Sequence, residues 1–201
     1  MTTTSRRRGR LVTLVGLATA GALILTGCAT AVEPTAAPKP RPDLSLSIGA
    51  LLPQTGALAS FGPAAQAGVD LAVADINAVD VGITVTSMSG DSSDATTDLS
   101  ITAATQLLDQ DVSVIVGAIS DGVSKKVIDQ IVGAGVIQMS PGSSSLDFSR
   151  YADSDLYWRT SPSCAREGAA PEQHIADSGA KTLGIVYQTG YCDPGLPEAI
   201  A

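Results

Sequence analysis

The chain has 201 residues, with 12 basic and 20 acidic side chains and a formal net charge of −8. That balance argues against nucleic acid as a partner and against direct adhesion to anionic lipid. Apolar residues make up 44% but aromatics only 3%, so a core must come from small and branched aliphatic side chains in closely packed helix-on-sheet layers.

The first 27 residues read as a processing segment. Arg6, Arg7, Arg8 and Arg10 form a positive head, and Leu11 to Leu25 is a fifteen-residue apolar run interrupted by Gly and Thr. It is too short and too weakly apolar to span a bilayer. The run ends in Leu25-Thr26-Gly27-Cys28, which resembles the lipobox of bacterial lipoproteins. The resemblance implies a diacylglyceryl group on the Cys28 thiol and cleavage before it, which places the protein on the outer face of the bacterial cytoplasmic membrane. An ordinary secretory peptide with an incidental cysteine is the alternative. Cleavage removes four arginines and no acid, leaving eight basic against twenty acidic residues, a formal charge of −12 over 174 residues.

Residues 28–43 read as a tether. Pro34, Pro38, Pro40 and Pro42 interrupt a stretch with almost no large apolar side chains, which cannot bury enough surface to offset the entropy of ordering.

From Leu44 the sequence alternates strand and helix patterns. Leu44 to Leu52 predicts a strand ending at Pro53-Gln54-Thr55-Gly56, and Pro63 to Ala78 a helix whose inner side carries Ala67, Leu71, Ala74 and Ile76 or Ala78. A second strand is expected over Ile83 to Met88, followed by the polar loop Gly90-Asp91-Ser92-Ser93-Asp94. Thr97 to Asp109 predicts a helix with Ile101, Ala104, Leu107 and Leu108 at helical spacing. Val112 to Val116 is a continuous apolar run, as in a parallel strand covered on both faces. Ser124 to Gly133, Val136 to Met139 and Leu156 to Arg159 then predict helix, strand and short strand. Repeats of this length imply an α/β fold with a doubly wound parallel sheet and right-handed crossovers.

Composition shifts at Ser161-Pro162-Ser163. A helix over Arg166 to Ser178, a strand over Thr182 to Tyr187 and a loop over Gln188 to Pro194 are expected next. The organisation is thus 1–27 leader, 28–43 tether, 44–160 first lobe, and 161–201 a crossover with the start of a second, truncated lobe.

From Leu46 to Ala199 the pattern resembles the N-terminal part of type I periplasmic binding proteins, in the Leu/Ile/Val branch that serves ABC importers. The residues that carry it are Ile48-Gly49-Ala50-Leu51-Leu52-Pro53-Gln54-Thr55-Gly56, Phe61-Gly62, Asp75-Ile76-Asn77-Ala78, Val116-Gly117, Ser140-Pro141-Gly142-Ser143-Ser144, Tyr157 to Ser163 and Tyr191 to Gly195. Each motif alone is common; their order and spacing are specific. Members run to about twice this length, so the resemblance implies a fragment or truncated product. It also implies a small-molecule ligand, an amino acid, amide or similar solute, gripped in the crevice beyond the strand ends. Ser120, Asp121 and Gly122 match one gripping loop, and Gly142 and Ser144 the other. Phe61 matches an aromatic lid and Tyr191 a tyrosine from the second lobe. An ABC permease is the implied partner, through hinge closure of the two lobes. No cofactor, metal or catalytic residue is implied.

Asp121 departs from the pattern, because many relatives carry a small hydroxyl residue there. A carboxylate facing a ligand carboxylate in a closed cleft is repulsive. Either Asp121 turns away, for instance to cap the following helix, or the ligand presents a cation. Cys164 lies near the start of a helix and Cys192 after the strand which that helix leads into, so both fall on the cleft-side edge of the second lobe; a disulfide is expected there, with two free thiols or a metal pair as the alternatives. His174, the only histidine, falls mid-helix. Two rival functions follow: a ligand-sensing lipoprotein subunit of a signalling receptor, and a serine hydrolase. The hydrolase is the weaker, since no G-x-S-x-G elbow occurs.

Overall fold

Nine residues from Leu44 to Leu52 form the first strand, β1, and every later strand is laid down relative to it. The computed structural model describes residues 43–79, 82–186 and 200, all within one compact unit, Pro42–Ala201. The strands are β1, β2 (Ile83–Asp91), β3 (Val114–Gly117), β4 (Ile137–Ser140) and β5 (Tyr157–Arg159). They form one five-stranded sheet in the order β2-β1-β3-β4-β5, with every neighbouring pair parallel. The helices are α1 (Gly62–Ala78), α2 (Leu99–Leu108), α3 (Asp121–Gly133) and α4 (Cys164–Ser178). The doubly wound parallel sheet expected from the sequence is therefore present.

The sheet is filled mainly on one side. Leu51 and Ile115 point toward α2 and α3, where Ala103, Ala104, Leu107, Val127 and Ile131 complete a buried cluster with Val112. A second cluster joins Ile128 to Phe148 and Tyr157, whose rings stack with centroids 4.8 Å apart. Phe148 belongs to a 3-10 turn, Leu146–Arg150, that the sequence pattern does not announce. On the other side of the sheet Ile48, Leu52 and Val116 meet Ala65, Val69 and Ala72 of α1 around an apolar groove of about 290 Å³. Ile137, Met139 and Trp158 remain exposed.

Several element readings need correction. Leu71, expected inside, is 63% exposed, and Ile76 is exposed as well, as are Ala67, Ala74 and Ala78. The inward residues of α1 are Ala65, Gln66, Val69 and Val73. This helix is apolar nearly all round, so two faces fit a 3.6-residue period and the sequence cannot choose between them. Asn77 settles the orientation, because its side-chain amide donates to the Val85 carbonyl at 2.9 Å and accepts from the Val85 N–H at 2.8 Å. In α2 the inward set is Ala103, Ala104 and Leu107, with Ile101 exposed.

One strand runs longer than expected and another is missing, while most other elements begin or end one to three residues from the expected positions. β2 runs on to Asp91 because β1 continues to pair with it, Leu52 opposite Asp91; a polar segment extends a strand when its neighbour offers a ladder. The strand expected over Thr182 to Tyr187 is absent from its described part, 182–186. Leu183, Ile185 and Val186 are exposed there: apolar residues make a strand only beside another strand.

Candidate functional site

In this strand order the chain leaves β1 toward one edge of the sheet, then returns to place β3 on β1's other side. Connections diverge between β1 and β3, and the crevice that ligands occupy in such sheets opens at the carboxyl ends of those strands. Three loops border it: 53–61 after β1, 118–120 after β3 and 141–145 after β4.

Close backbone approach fixes the second and third loops. Gly117 has φ +132°, and a β-carbon there would lie 2.0 Å from the Leu51 carbonyl oxygen. A β-carbon on Gly142 would lie 2.5 Å from the Ile119 carbonyl oxygen. Gly142 is thus a packing residue that lets the loops after β3 and β4 touch.

A buried polar network then stitches those loops together. The Ser140 hydroxyl donates to the Ala118 carbonyl at 2.6 Å and accepts from the Ser143 N–H at 3.0 Å. Ser143 and Ser124 share a hydroxyl–hydroxyl bond of 2.8 Å, and Gln138 Nε2 donates to the Gly117 carbonyl at 3.0 Å. Ser124, Gln138, Ser140 and Ser143 are all fully buried, so each of these bonds offsets a desolvation cost and fixes the loop geometry.

Ser120 and Asp121 have separate jobs. Ser120 caps α3, its hydroxyl accepting from the Val123 N–H at 3.3 Å. Asp121 does not cap. Its Oδ1 accepts from the backbone N–H groups of Ser144 at 2.8 Å and Ser145 at 3.1 Å. Ser144 and Ser145 are buried, and the Ser144 carbonyl accepts from the Cys164 N–H at 2.9 Å.

The loop after β1 is held by two carboxylates, one at the end of β2 and one in the connection that follows it. Asp91 accepts from the N–H groups of Gln54 (2.9 Å), Thr55 (3.2 Å) and Ser93 (2.8 Å), and from the Thr55 hydroxyl (2.6 Å). Burial pushes the Asp91 pKa up, but those four donors outweigh it and hold the carboxyl below its usual value. Asp94 accepts from the Ala57 N–H at 2.9 Å. Hydrogen bonds from the Thr96 hydroxyl, Ala57 and the Thr96 amide lower its pKa too. Farther along, Lys125 pairs with Asp147, and the Arg159 guanidinium donates to the Ser145 carbonyl at 2.8 Å. Phe61 closes the first loop at the end of a 3-10 turn, Ala59–Phe61, with 58% of its surface exposed.

Of the residues read from the sequence, Ser120, Asp121, Gly142 and Ser144 come together in one loop pair, with Phe61 on the loop after the adjacent strand. Tyr191, Cys192 and Cys28 lie outside the described residues. Cys164 is disulfide-bonded. His174 is exposed on α4, remote in sequence from the serine loops. Asp91, Asp94, Ser124, Gln138, Ser140 and Ser143 escaped the sequence reading as site-builders. The visible signals were the D-x-x-D spacing of Asp91 and Asp94 and, for Ser140 and Ser143, their place in the Ser-Pro-Gly-Ser-Ser motif. Among the described residues no group of three His, Cys, Asp or Glu could hold a metal, and no helix is long and apolar enough to cross a membrane. The crevice is bordered by loops held in fixed positions by their own hydrogen bonds, with the half-buried Asp121 carboxylate among them, which suits non-covalent recognition of a small polar molecule.

Comparison with known proteins agrees with this geometry. A family model described as "Periplasmic binding protein" matches residues 45–194. The Leu/Ile/Val-binding protein homolog 2 of Brucella abortus is 30% identical over 141 residues, which cover 68% of this chain and 36% of that protein. The chain thus spans about a third of the length of the curated relatives it matches. Among solved structures, LivJ of Streptococcus pneumoniae, a branched-chain amino acid transporter substrate-binding protein in complex with isoleucine, is 24% identical with a TM-score of 0.57. The match covers 66% of this chain and 38% of that one. An ABC transporter substrate-binding protein from Desulfitobacterium hafniense in complex with Leu gives a TM-score of 0.67 at 21% identity, covering 78% and 46%. A solute-binding protein from R. palustris in complex with 4-hydroxybenzoate gives 0.65 at 22%, covering 78% and 42%.

Proposed function

This chain belongs to the periplasmic binding protein family, and from that membership we propose that it binds an amino acid or similar small polar solute for delivery to an ABC importer. The observation that carries the reading is the crevice at the β1/β3 divergence, where the Gly117, Gly142 and Ser140 contacts hold two loops in fixed positions. Preorganised loops bind a solute without the cost of ordering them first. The names of the relatives, which bind branched-chain amino acids or hydroxybenzoate, support a solute of that size.

Residues 44–160 serve as the first lobe, and 161–201 begin the crossover to a second. Phe61, Ser120, Asp121, Gly142 and Ser144 are the first-lobe site, and Tyr191 adds to it from the second. Cys28 carries the lipid, holding the protein at the outer face of the bacterial cytoplasmic membrane beside its permease. Cys164 bonds to Cys192, since lipidation withdraws Cys28. A ligand-sensing role remains the second reading. The lipid anchor favours delivery, because a protein tethered by lipid at the outer face signals inward only through a partner.

Thermal-shift titration with branched-chain amino acids, their amides, cationic amines and hydroxybenzoates tests the binding reading. One class should raise the melting temperature in a saturable way, because binding to the folded state alone stabilises it. No saturable shift from any class at millimolar concentration would overturn it.

A further inference from the structure

The amides of Ser144 and Ser145 belong to the loop after the carboxyl end of β4, and they are already occupied: both donate to Oδ1 of Asp121, at 2.8 and 3.1 Å. Two adjacent backbone N–H groups converging on one oxygen are the arrangement that receives a carboxylate. Here the carboxylate belongs to the protein. Asp121 is held for this by the start of α3, where Ser120 caps the helix and leaves the aspartate free to reach across. The receiving loop is equally fixed. Its Ser143 amide is bound to Ser140, its Ser144 carbonyl to the Cys164 amide and its Ser145 carbonyl to Arg159. Oδ2 of Asp121 makes no hydrogen bond to a described residue.

We propose that Asp121 is a specificity-determining residue that acts as an internal carboxylate. It fills the Ser144/Ser145 amide pair, excludes a solute carboxylate from that corner, and offers Oδ2 to a solute N–H donor. The ligand class is therefore an ammonium, guanidinium or carboxamide group at this corner, on a molecule whose carboxylate, where it has one, lies elsewhere. The inference rests on the solute-binding reading above and narrows it. An anionic solute group would have to displace Asp121 from two charge-assisted hydrogen bonds and leave that carboxylate beside its own charge. A donor solute meets neither obstacle.

The test follows the backbone amide resonances of Ser144 and Ser145 by NMR in the full chain, with acetate, L-leucine and L-leucinamide as probes. In the native chain leucinamide should shift resonances around Asp121, while acetate and leucine leave the Ser144 and Ser145 amides in place up to tens of millimolar. In Asp121→Ser the amides are released, and acetate and leucine should move them with affinity at least about tenfold tighter than in the native chain. Asp121→Asn keeps an acceptor for the loop but removes the charge, so leucinamide should weaken by about tenfold with the loop intact. That variant carries the test if Asp121→Ser loosens the loop. Acetate or leucine moving the native amides as readily as those of Asp121→Ser, or leucinamide binding Asp121→Asn unchanged, overturns the role of Asp121 and leaves solute binding standing. Failure of all three probes to shift any amide of residues 53–61, 118–122 or 141–145, in any of the three chains, overturns solute binding at this crevice as well.

Discussion

Replacing Asp91 with alanine should unfasten the loop that carries Phe61. The native carboxylate gathers four donors, from Gln54, Thr55 twice and Ser93, at 2.6–3.2 Å. Hydrogen bonds to a charged group contribute about 1.5 kcal/mol or more each in protected settings, but this site is half-exposed and water replaces part of what is lost, so the cost should be about 2–3 kcal/mol. For a domain of this size that lowers the melting temperature by roughly 4–12 °C. Asp91→Asn keeps an acceptor toward the Gln54 and Ser93 amides and should cost only about 1 kcal/mol. The pH dependence has a definite sign. The folded pKa of Asp91 is lowered from 3.8, so its contribution is complete above that value and is lost as pH falls through the folded pKa. Thermal melts followed by circular dichroism at neutral pH and near pH 3 read both effects. An Asp91→Ala melt within a degree of the native chain would refute the reasoning that this carboxylate holds the loop.

Other consequences are quick to check. Cys28→Ala should move the protein from membrane to soluble fractions of the bacterium, because of the L-T-G-C sequence; unchanged membrane association would refute lipidation. Peptide mapping without reductant should recover Cys164 linked to Cys192, and a Cys164 peptide linked elsewhere would refute that pairing. Ser120→Ala removes the α3 cap and should lower stability by about 1 kcal/mol, with no loss meaning that the 3.3 Å bond to Val123 contributes nothing. Trp158, the only tryptophan, is 55% exposed; its emission should be that of a solvated indole and readily quenched by iodide, and blue-shifted, protected emission would contradict the open sheet face.

The sheet was legible because its strands are runs of apolar and β-branched residues at βα spacing. Leu44–Leu52 is found with the boundaries the pattern implies. The orientation of α1 was not legible, since Leu71 and Val69 both lie on apolar stripes of a helix rich in alanine, and only the Asn77 clasp on Val85 decides between them. The Leu183-Gly184-Ile185-Val186 run misled for a different reason: propensity is local, while a strand depends on a neighbour. At the site, Ser120, Asp121 and Ser144 could be located by their place after strands. Their bonding could not. A sequence shows that Asp121 carries a charge but not that the Ser144 and Ser145 amides lie within 3.1 Å of it, because that meeting depends on Gly142 letting the loop after β4 touch the loop after β3.

Hydrogen exchange with and without the most stabilising solute tests the placement of the binding site most directly. Protection should concentrate in residues 53–61, 118–122 and 141–145, the three loops at the carboxyl ends of β1, β3 and β4, and stay unchanged in the outer turns of α2. Protection centred on α2, or on the exposed face of α1 around Leu71 and Ile76, with those loops unaffected, would contradict a solute site in the crevice.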